Sequence, residues 1–583
     1  MKKALALLLA LLMMAGLLAG CGGGNEENPS TAPSSNPSTD PTTAPSFVPV
    51  EDDGEDPYEY ELPLTEEDIS FTYWLPNSLS FTGFNSYDDN LFYQWMEEQT
   101  GVDLIFEHPA VGSETEAFQT MILSGDYPEF IQGIKSRYNG GADKAISDGV
   151  LLRLNEYVDQ YMPHYRQVVY ADEETFIQAV SDEGNLWGVH HIVDRPQGAF
   201  YGLGVREDWL DKTGMTVDDL ETLDGIEQAL SALKEYTYEN KGPLWLQNYS
   251  TCYADGLVSA YGFGSTLAGH YFSNVNGKVE YGPIQPGAQE YAAKMADWYA
   301  KGLINTDYIG TASFTTPDDK WINGEVGIAE FVYTADVMYA NAAATSDLNP
   351  SPDFRIQALT NPKKDASQDW SDIHFRNNST KVRSGNSMGI TVSALPNIEL
   401  ACKFWDFAWT DEGKVRSNWG TIGEKGDTNS ISYIDETDAN GDGHVECYQD
   451  WILQECNNNV SYVQVKCAVH NGPTYSIWSR EWCTLSERAI NYQYIWDRAG
   501  ADWLMPDGIT LTADEGAEAS TIVANANSVW HEWLAAVITG TKSADTFQTE
   551  VVDVINGFGI DTAVAHYQAA LDRYNKRIEY MND

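Results

Sequence analysis

The sequence is short of positive charge. Its 583 residues hold 34 Lys and Arg against 87 Asp and Glu, a formal net charge of −53. A chain this acidic is repelled by nucleic acid phosphates and by anionic lipid heads, so no nucleic-acid partner is expected. The acids are spread along the sequence and read as a solvated surface, not as one acidic tail. Beyond the first twenty residues no stretch is apolar for long enough to cross a bilayer. HExxH, a phosphate loop, and GxGxxG between a strand and a helix are all absent from the sequence. Cysteine is sparse, at seven. Cys447, Cys456, Cys467 and Cys483 lie close together, but spacing does not give a pairing. Cys467 and His470 stand at a zinc-like spacing, but no CxxC pair accompanies them, so zinc is not expected there.

What is present begins at the N-terminus. Two lysines precede an apolar run from Ala4 to Leu18, which ends in Leu18-Ala19-Gly20-Cys21. Small residues before a cysteine form a lipobox. Residues 1–20 are therefore expected to be a lipoprotein signal peptide, with Cys21 as the lipidated residue. The protein is then expected on the extracellular face of the cell membrane. Residues 21–63 are Gly, Ser, Thr, Pro and acid with little to bury, the composition of a disordered tether. At about 5–6 Å × √n it reaches roughly 35 Å.

The body from Leu64 to Asp583 is too long for one simple core, so two or three domains are expected. Strand patterns at Ser70–Leu75, Val102–Phe106, Val326–Val332 and Gly389–Ser393 alternate with helical ones. The helices are expected at Leu91–Gln99, Lys144–Tyr161, Gly225–Tyr238, Glu290–Lys301 and Glu399–Thr410. Such alternation predicts α/β domains with largely parallel sheets.

The order of certain segments resembles a known family. Gly125-Asp126-Tyr127-Pro128 precedes a strand, and Asp148 to Leu154 leads into a helix. Gly204 to Gly214, Lys301 to Asn305, Asn323 to Ile328, Ser387 to Ser393 and Asp411-Glu412-Gly413 follow in turn. Together they resemble the extracellular solute-binding lipoproteins of ABC importers, in particular the large carbohydrate-type proteins of Gram-positive bacteria. The resemblance covers roughly 65–430 well and the remainder loosely. It implies a two-lobed, periplasmic-binding-protein-like (type II) α/β fold with hinge crossovers near 195, near 384 and past 430. On that reading 64–195 and 384–430 form the N-terminal lobe, and 196–383 and 431–583 the C-terminal lobe. An oligosaccharide ligand, an ABC permease partner and a monomeric state are implied with it.

Asp438, Asn440 and Asp442, then Gly443, the His444 carbonyl position and Glu446, match a calcium loop. Gln449 occupies the place of the usual bidentate Glu, which weakens the site. A structural calcium ion is expected there, and an ion-free hairpin turn is the alternative. Gly385-Asn386-Ser387-Met388-Gly389 matches a nucleophile elbow, but the strand follows the motif instead of preceding it, so no catalytic serine is assigned. Carboxylate pairs occur everywhere by chance in so acidic a chain, and no catalytic residue is expected. His190 and His191 beside Asp194 read as ordinary hydrogen bonding.

The 18 Trp and 33 Tyr exceed what cores need and suit stacking on sugar rings. The expected ligand contacts are Trp74, Trp187, Trp245, Trp419, Trp478 and Arg480, with Asp126 as a polar partner and Arg206 and Glu330 behind it. Trp209, Trp298 and Trp405 lie at helical spacing and are assigned to cores. The expected function is capture of an oligosaccharide and its delivery to a permease. The alternatives are a binder of peptides or other small molecules, a surface glycan-active enzyme, and a sensor subunit.

Overall fold

The computed structural model describes residues 59–577 and 579, apart from 78–82, 196–197, 247–254, 265–270, 311–315, 376–379, 434–446 and 478–486. Cys21, the tether before residue 59, Asp438, Asn440, Asp442, His444, Glu446, Trp478 and Arg480 lie outside the described residues.

In chain order the strands that build the lobes are β1 (Ile69–Trp74), β2 (Val102–Glu107), β3 (Phe130–Gln132), β4 (His191–Val193), β5 (Tyr201–Arg206), β6 (Ile328–Val332), β7 (Ile356–Ala358), β8 (Met388–Ile390) and β9 (Thr474–Ser476). In the first lobe, β1 pairs in parallel with β2 and β3, and β8 closes the sheet antiparallel to β3. Local sequence explains the connections. The Asn90 side chain accepts the Phe92 and Tyr93 N–H groups, which starts the helix Leu91–Thr100. Gly101, at φ 72°, ends that helix and turns the chain into β2.

In the second lobe β5 is flanked by β6 and β7, and both pairings are antiparallel. The parallel pairing predicted from alternation holds for β1, β2 and β3 but not for this sheet. Here β5 is followed at once by a helix, Glu207–Thr213, and its sheet partners come from much later in the chain. The alternation therefore does not report strand direction in this lobe.

The helix predicted over Lys144–Tyr161 is broken. Helices cover Gly141–Ser147 and Asn155–Tyr161. Between them Gly149 takes φ +72°, Leu151 pairs with Thr391, and the Leu152 N–H donates to the Ile390 carbonyl at 2.9 Å. The chain leaves the helix here to extend the sheet beside β8.

The lobes have separate apolar cores. The second is built on Leu203, Val205, Ile328 and Phe331 and takes in Trp209 and Trp298. The long helix Ala513–Ile538 and the helix Ile560–Lys576 also pack into it. The first is built on Phe71, Tyr73, Phe130, Ile390 and Trp405. Val465 and Val469 belong to the first core as well, and Cys456, Val463 and Cys467 pack beside Trp419. The described residues 431–433 and 447–469 thus lie with the first lobe, whereas they were expected in the second. Their anchor is the buried Asn90 amide, which donates to the Val465 and Ala468 carbonyls.

Candidate ligand site at the junction of the lobes

Three stretches of chain run side by side where the lobes meet. β4 and β9 pair in parallel, with Thr474 opposite His191 and Ser476 opposite Val193. The segment around Val382 joins them antiparallel through Ile192. Backbone bonds hold it there: Arg383 N–H to His191 O at 2.9 Å and Val193 N–H to Lys381 O at 2.9 Å. The third crossing is therefore β9, not residue 430, because the described residues 431–433 and 447–469 are still packed on the first lobe. Ser387 serves this junction: its buried hydroxyl donates to the Arg383 carbonyl and accepts the His191 N–H.

Below these strands, His190 is fully buried. Its Nδ1 shares a short hydrogen bond with the Tyr165 hydroxyl, and its ring meets Trp187 edge-on at 4.8 Å. Burial, with Lys135 nearby, pulls its pKa down to about 3, so it is neutral. His191 bonds the Gly472 carbonyl through Nδ1 at 3.0 Å. Both histidines are structural.

The carboxyl end of β3 leads into Ile134–Arg137 and then the helix Gly141–Ser147. Ligands of open α/β sheets bind at such strand ends. A cavity of about 240 Å³ lies here between the lobes. Asp143, Lys144, Ser147 and Glu183 line it from the first lobe, and Thr510 and Arg573 from the second. Glu183 is raised above the usual carboxylate range by burial and by Asp143 and Asp182.

Asp182 and Arg573, which also line the cavity, belong to a set of paired charges that continues behind it. Arg577, fully buried just past the helix Ile560–Lys576, donates through Nε and Nη2 to Asp182 Oδ1 at 2.9 and 2.5 Å. Its remaining donors reach the Ile177 carbonyl at 3.0 Å and the Gly508 carbonyl at 2.9 Å. Arg573 donates to Asp182 Oδ2 at 3.3 Å and, bidentately, to Glu515 at 2.9 and 2.6 Å. That pairing holds the Glu515 carboxyl below its ordinary range. Lys135, buried on the first lobe, donates to the Gly508 carbonyl at 3.4 Å and lies 5.9 Å from the Trp187 ring centre. Burial, aided by Arg577, lowers its pKa to about 7.

The residues predicted from sequence lie as follows. Trp74 is buried against Phe118, with the Arg137 guanidinium 5.4 Å from its ring centre. Trp187 is fully buried, and its indole N–H has no partner among the described residues. Trp245 is buried beside β6, where its backbone N–H donates to the Ile328 carbonyl. Trp419 packs on Tyr448 in a separate small core. In the described conformation none of these four rings offers a face to solvent. Asp126 is exposed, but it precedes β3 and so sits at the amino end of that strand, away from the carboxyl end. Arg206 is consumed by Asp208 and lies between Trp209 and Phe354. Glu330 accepts the Gly256 N–H.

Gln449 differs from its expected role. Its Oε1 accepts the Gly426 N–H at 2.8 Å, and its Nε2 donates to the Glu424 carbonyl and Ser430 hydroxyl. The amide is spent on fastening the 424–432 turn, not held out toward an ion. Among the described residues no cluster of His, Cys, Asp and Glu is placed to hold a metal.

No protein-family model and no curated relative matches the sequence. Solved structures do match. Alginate-binding protein AlgQ2, without calcium ion, superposes with a TM-score of 0.64 at 20% identity, over 87% of this chain and 99% of that one. An HMO-binding, ABC-transporter-associated solute-binding protein from Bifidobacterium longum infantis gives 0.69 at 12% identity, over 87% and 99%. The fold is that of a two-lobed solute-binding protein. The substrate-binding protein FusA of an S. pneumoniae ABC transporter, bound to kestose, shares this solute-binding fold with a TM-score of 0.62 at 17% identity, over 87% and 99%. An EF-hand mutant of FusA in complex with fructo-nystose matches equally well. The names of all these neighbours describe binding proteins, not enzymes.

Sequence reasoning missed Lys135, Asp182, Arg573 and Arg577. Their partners lie hundreds of residues away, and no local spacing marks them. The one local signal was Gly140-Gly141, both at positive φ, where the first lobe comes up against Thr510 and Ala513.

Proposed function

We propose that this chain is the substrate-binding lipoprotein of an ABC importer, which takes an oligosaccharide between its lobes and hands it intact to a membrane permease. The observation that carries the reading is the solute-binding fold, with three strands crossing at one junction and a cavity between the lobes. Its neighbours are named for alginate, kestose and HMO, which supports a carbohydrate ligand. The body acts as a monomer. Lipid on Cys21 and the tether of residues 21–63 hold it at the extracellular face of the membrane, within reach of the permease. Binding needs no covalent chemistry.

A calcium ion at Asp438, Asn440, Asp442, the His444 carbonyl and Glu446 belongs to the same reading. Calcium and an EF-hand in neighbours' names support it. The ion would neutralise acids and pin the loop.

Thermal unfolding against a panel of oligosaccharides, peptides and calcium tests the proposal. A ligand at a hundred times its Kd adds about 2.7 kcal/mol of stability. The expected result is a raised Tm with an oligosaccharide recovered uncleaved. A shift with peptides alone, or cleavage of the glycan, overturns the reading.

A further inference from the structure

We propose that Asp182 is the positioning residue that sets the angle between the two lobes. The three crossings give the lobes a hinge, and hinges of this kind permit rotation about a few backbone dihedrals. A fourth connection, made by side chains alone, lies elsewhere in the chain. It joins the turn Ser181–Asn185 of the first lobe to Gly508–Glu515 and Arg573–Arg577 of the second.

Each half of this connection is held rigid by its own lobe. On the first lobe, Asp143 accepts from the Ser181 hydroxyl, from Glu183 N–H at 3.3 Å and from the Asn185 amide at 2.8 Å. The turn cannot follow a departing partner. On the second lobe, Thr512 and Glu515 form a capping box at the start of the helix Ala513–Ile538. Glu515 then binds Arg573 on the neighbouring helix. Both helices pack into the second core.

The charges alternate, Arg577 to Asp182 to Arg573 to Glu515, and sum to zero, so the set is stable only when complete. Rotation of the lobes separates Asp182 from both arginines and leaves Arg577 with no carboxylate. An unpaired buried charge is costly, and the set therefore opposes that rotation. Lys135 adds a bond across the same junction, to Gly508. The inference rests on the two-lobed geometry and not on the identity of the ligand, so it stands or falls apart from the transport reading.

Hydrogen–deuterium exchange on the full chain, without ligand, tests this. Asp182→Asn keeps the shape and removes the charge. The expected result is faster exchange, by roughly tenfold, the factor that ~1.4 kcal/mol brings, in 133–147 on one lobe and 508–515 on the other. The crossing strands β4 and β9 should exchange faster too, with β5, β6 and the helix Ile398–Phe407 unchanged. Asp182→Glu, which keeps the charge, should recover part of the protection. Faster exchange confined to 177–186 and 573–577 would mean local packing only and would overturn the proposal. If circular dichroism shows Asp182→Asn to be unfolded, Arg573→Gln decides the matter. It removes one donor from a partly exposed site, and the same two patterns apply to it.

Discussion

Asn418 holds Tyr475 as a strand neighbour would: its amide donates to the Tyr475 carbonyl at 2.7 Å and its oxygen accepts the Ile477 N–H at 2.8 Å. One buried side chain thus supplies both backbone bonds on the open side of β9, at the third crossing. Replacing it by Ala leaves a half-buried carbonyl and a half-buried N–H unpaired, at about 1 kcal/mol each. Asn418→Ala is expected to lower the urea midpoint of the first lobe and speed proteolysis near Ile477. Asn418→Asp keeps the acceptor and should lose about half as much. Equal losses in the two variants would show that the Tyr475 bond carries the effect alone.

Lys135 gives the protein a pH dependence of definite sign. Its folded pKa is lowered to about 7, whereas an unfolded lysine titrates near 10.4. Between these values the unfolded chain binds more protons, so stability rises with pH from about 7. Above ~8.5 the buried thiols of Cys402, Cys456 and Cys467, all pushed up by burial, act in the opposite sense. Denaturation midpoints at pH 7.0 and 8.5 should differ measurably in the wild type and much less in Lys135→Met. An unchanged rise in that variant would assign the effect elsewhere.

Gly141 tests the junction without touching a charge. It sits at φ +73°, and a Cβ there would lie 2.5 Å from Thr510 Cγ2. Gly141→Ala adds a left-handed penalty of about 1–2 kcal/mol and forces the 510 segment away. The expected outcome is faster exchange at 508–515 with the first core unaffected. The same substitution at Gly149, also at positive φ but with open space around it, should leave that segment unchanged.

Asp406 is a fully buried carboxylate with a full set of donors: Tyr60 Oη at 2.6 Å, His164 Nδ1 at 2.7 Å and the N–H groups of His164 and Tyr165. Asp406→Ala strands all four, and a loss of about 3–5 kcal/mol is expected from urea unfolding. Tyr60→Phe removes one donor and should cost only about 1 kcal/mol.

The features legible in the sequence were those that neighbours in the chain decide. Asn90 and Gly101 mark both ends of their helix, and the alternation through Ser70–Leu75 gives β1. Trp209, Trp298 and Trp405 declared their cores by helical spacing. The failures are long-range. Asp182 meets Arg577 across 395 residues. The antiparallel β5–β6 pair joins Tyr201 to Val332, and nothing near either residue records the direction. For Trp74, Trp187, Trp245 and Trp419, position beside a strand or a turn did not reveal burial, because the covering residues come from other segments. The two-lobed architecture was legible only through the order of segments, as a resemblance.

β8 lies between the lobes' sequences in an instructive way. It is read out after every strand of the second sheet, yet it completes the first sheet beside β3. During synthesis, therefore, the first lobe cannot finish folding before residue 390 has emerged, and it then waits for Val465 and Val469. Closing such long loops slows folding, because their entropy is lost before the contacts form. The nascent chain therefore stays without complete cores until nearly all of it exists, since the second core also waits for Ile560 and Leu571.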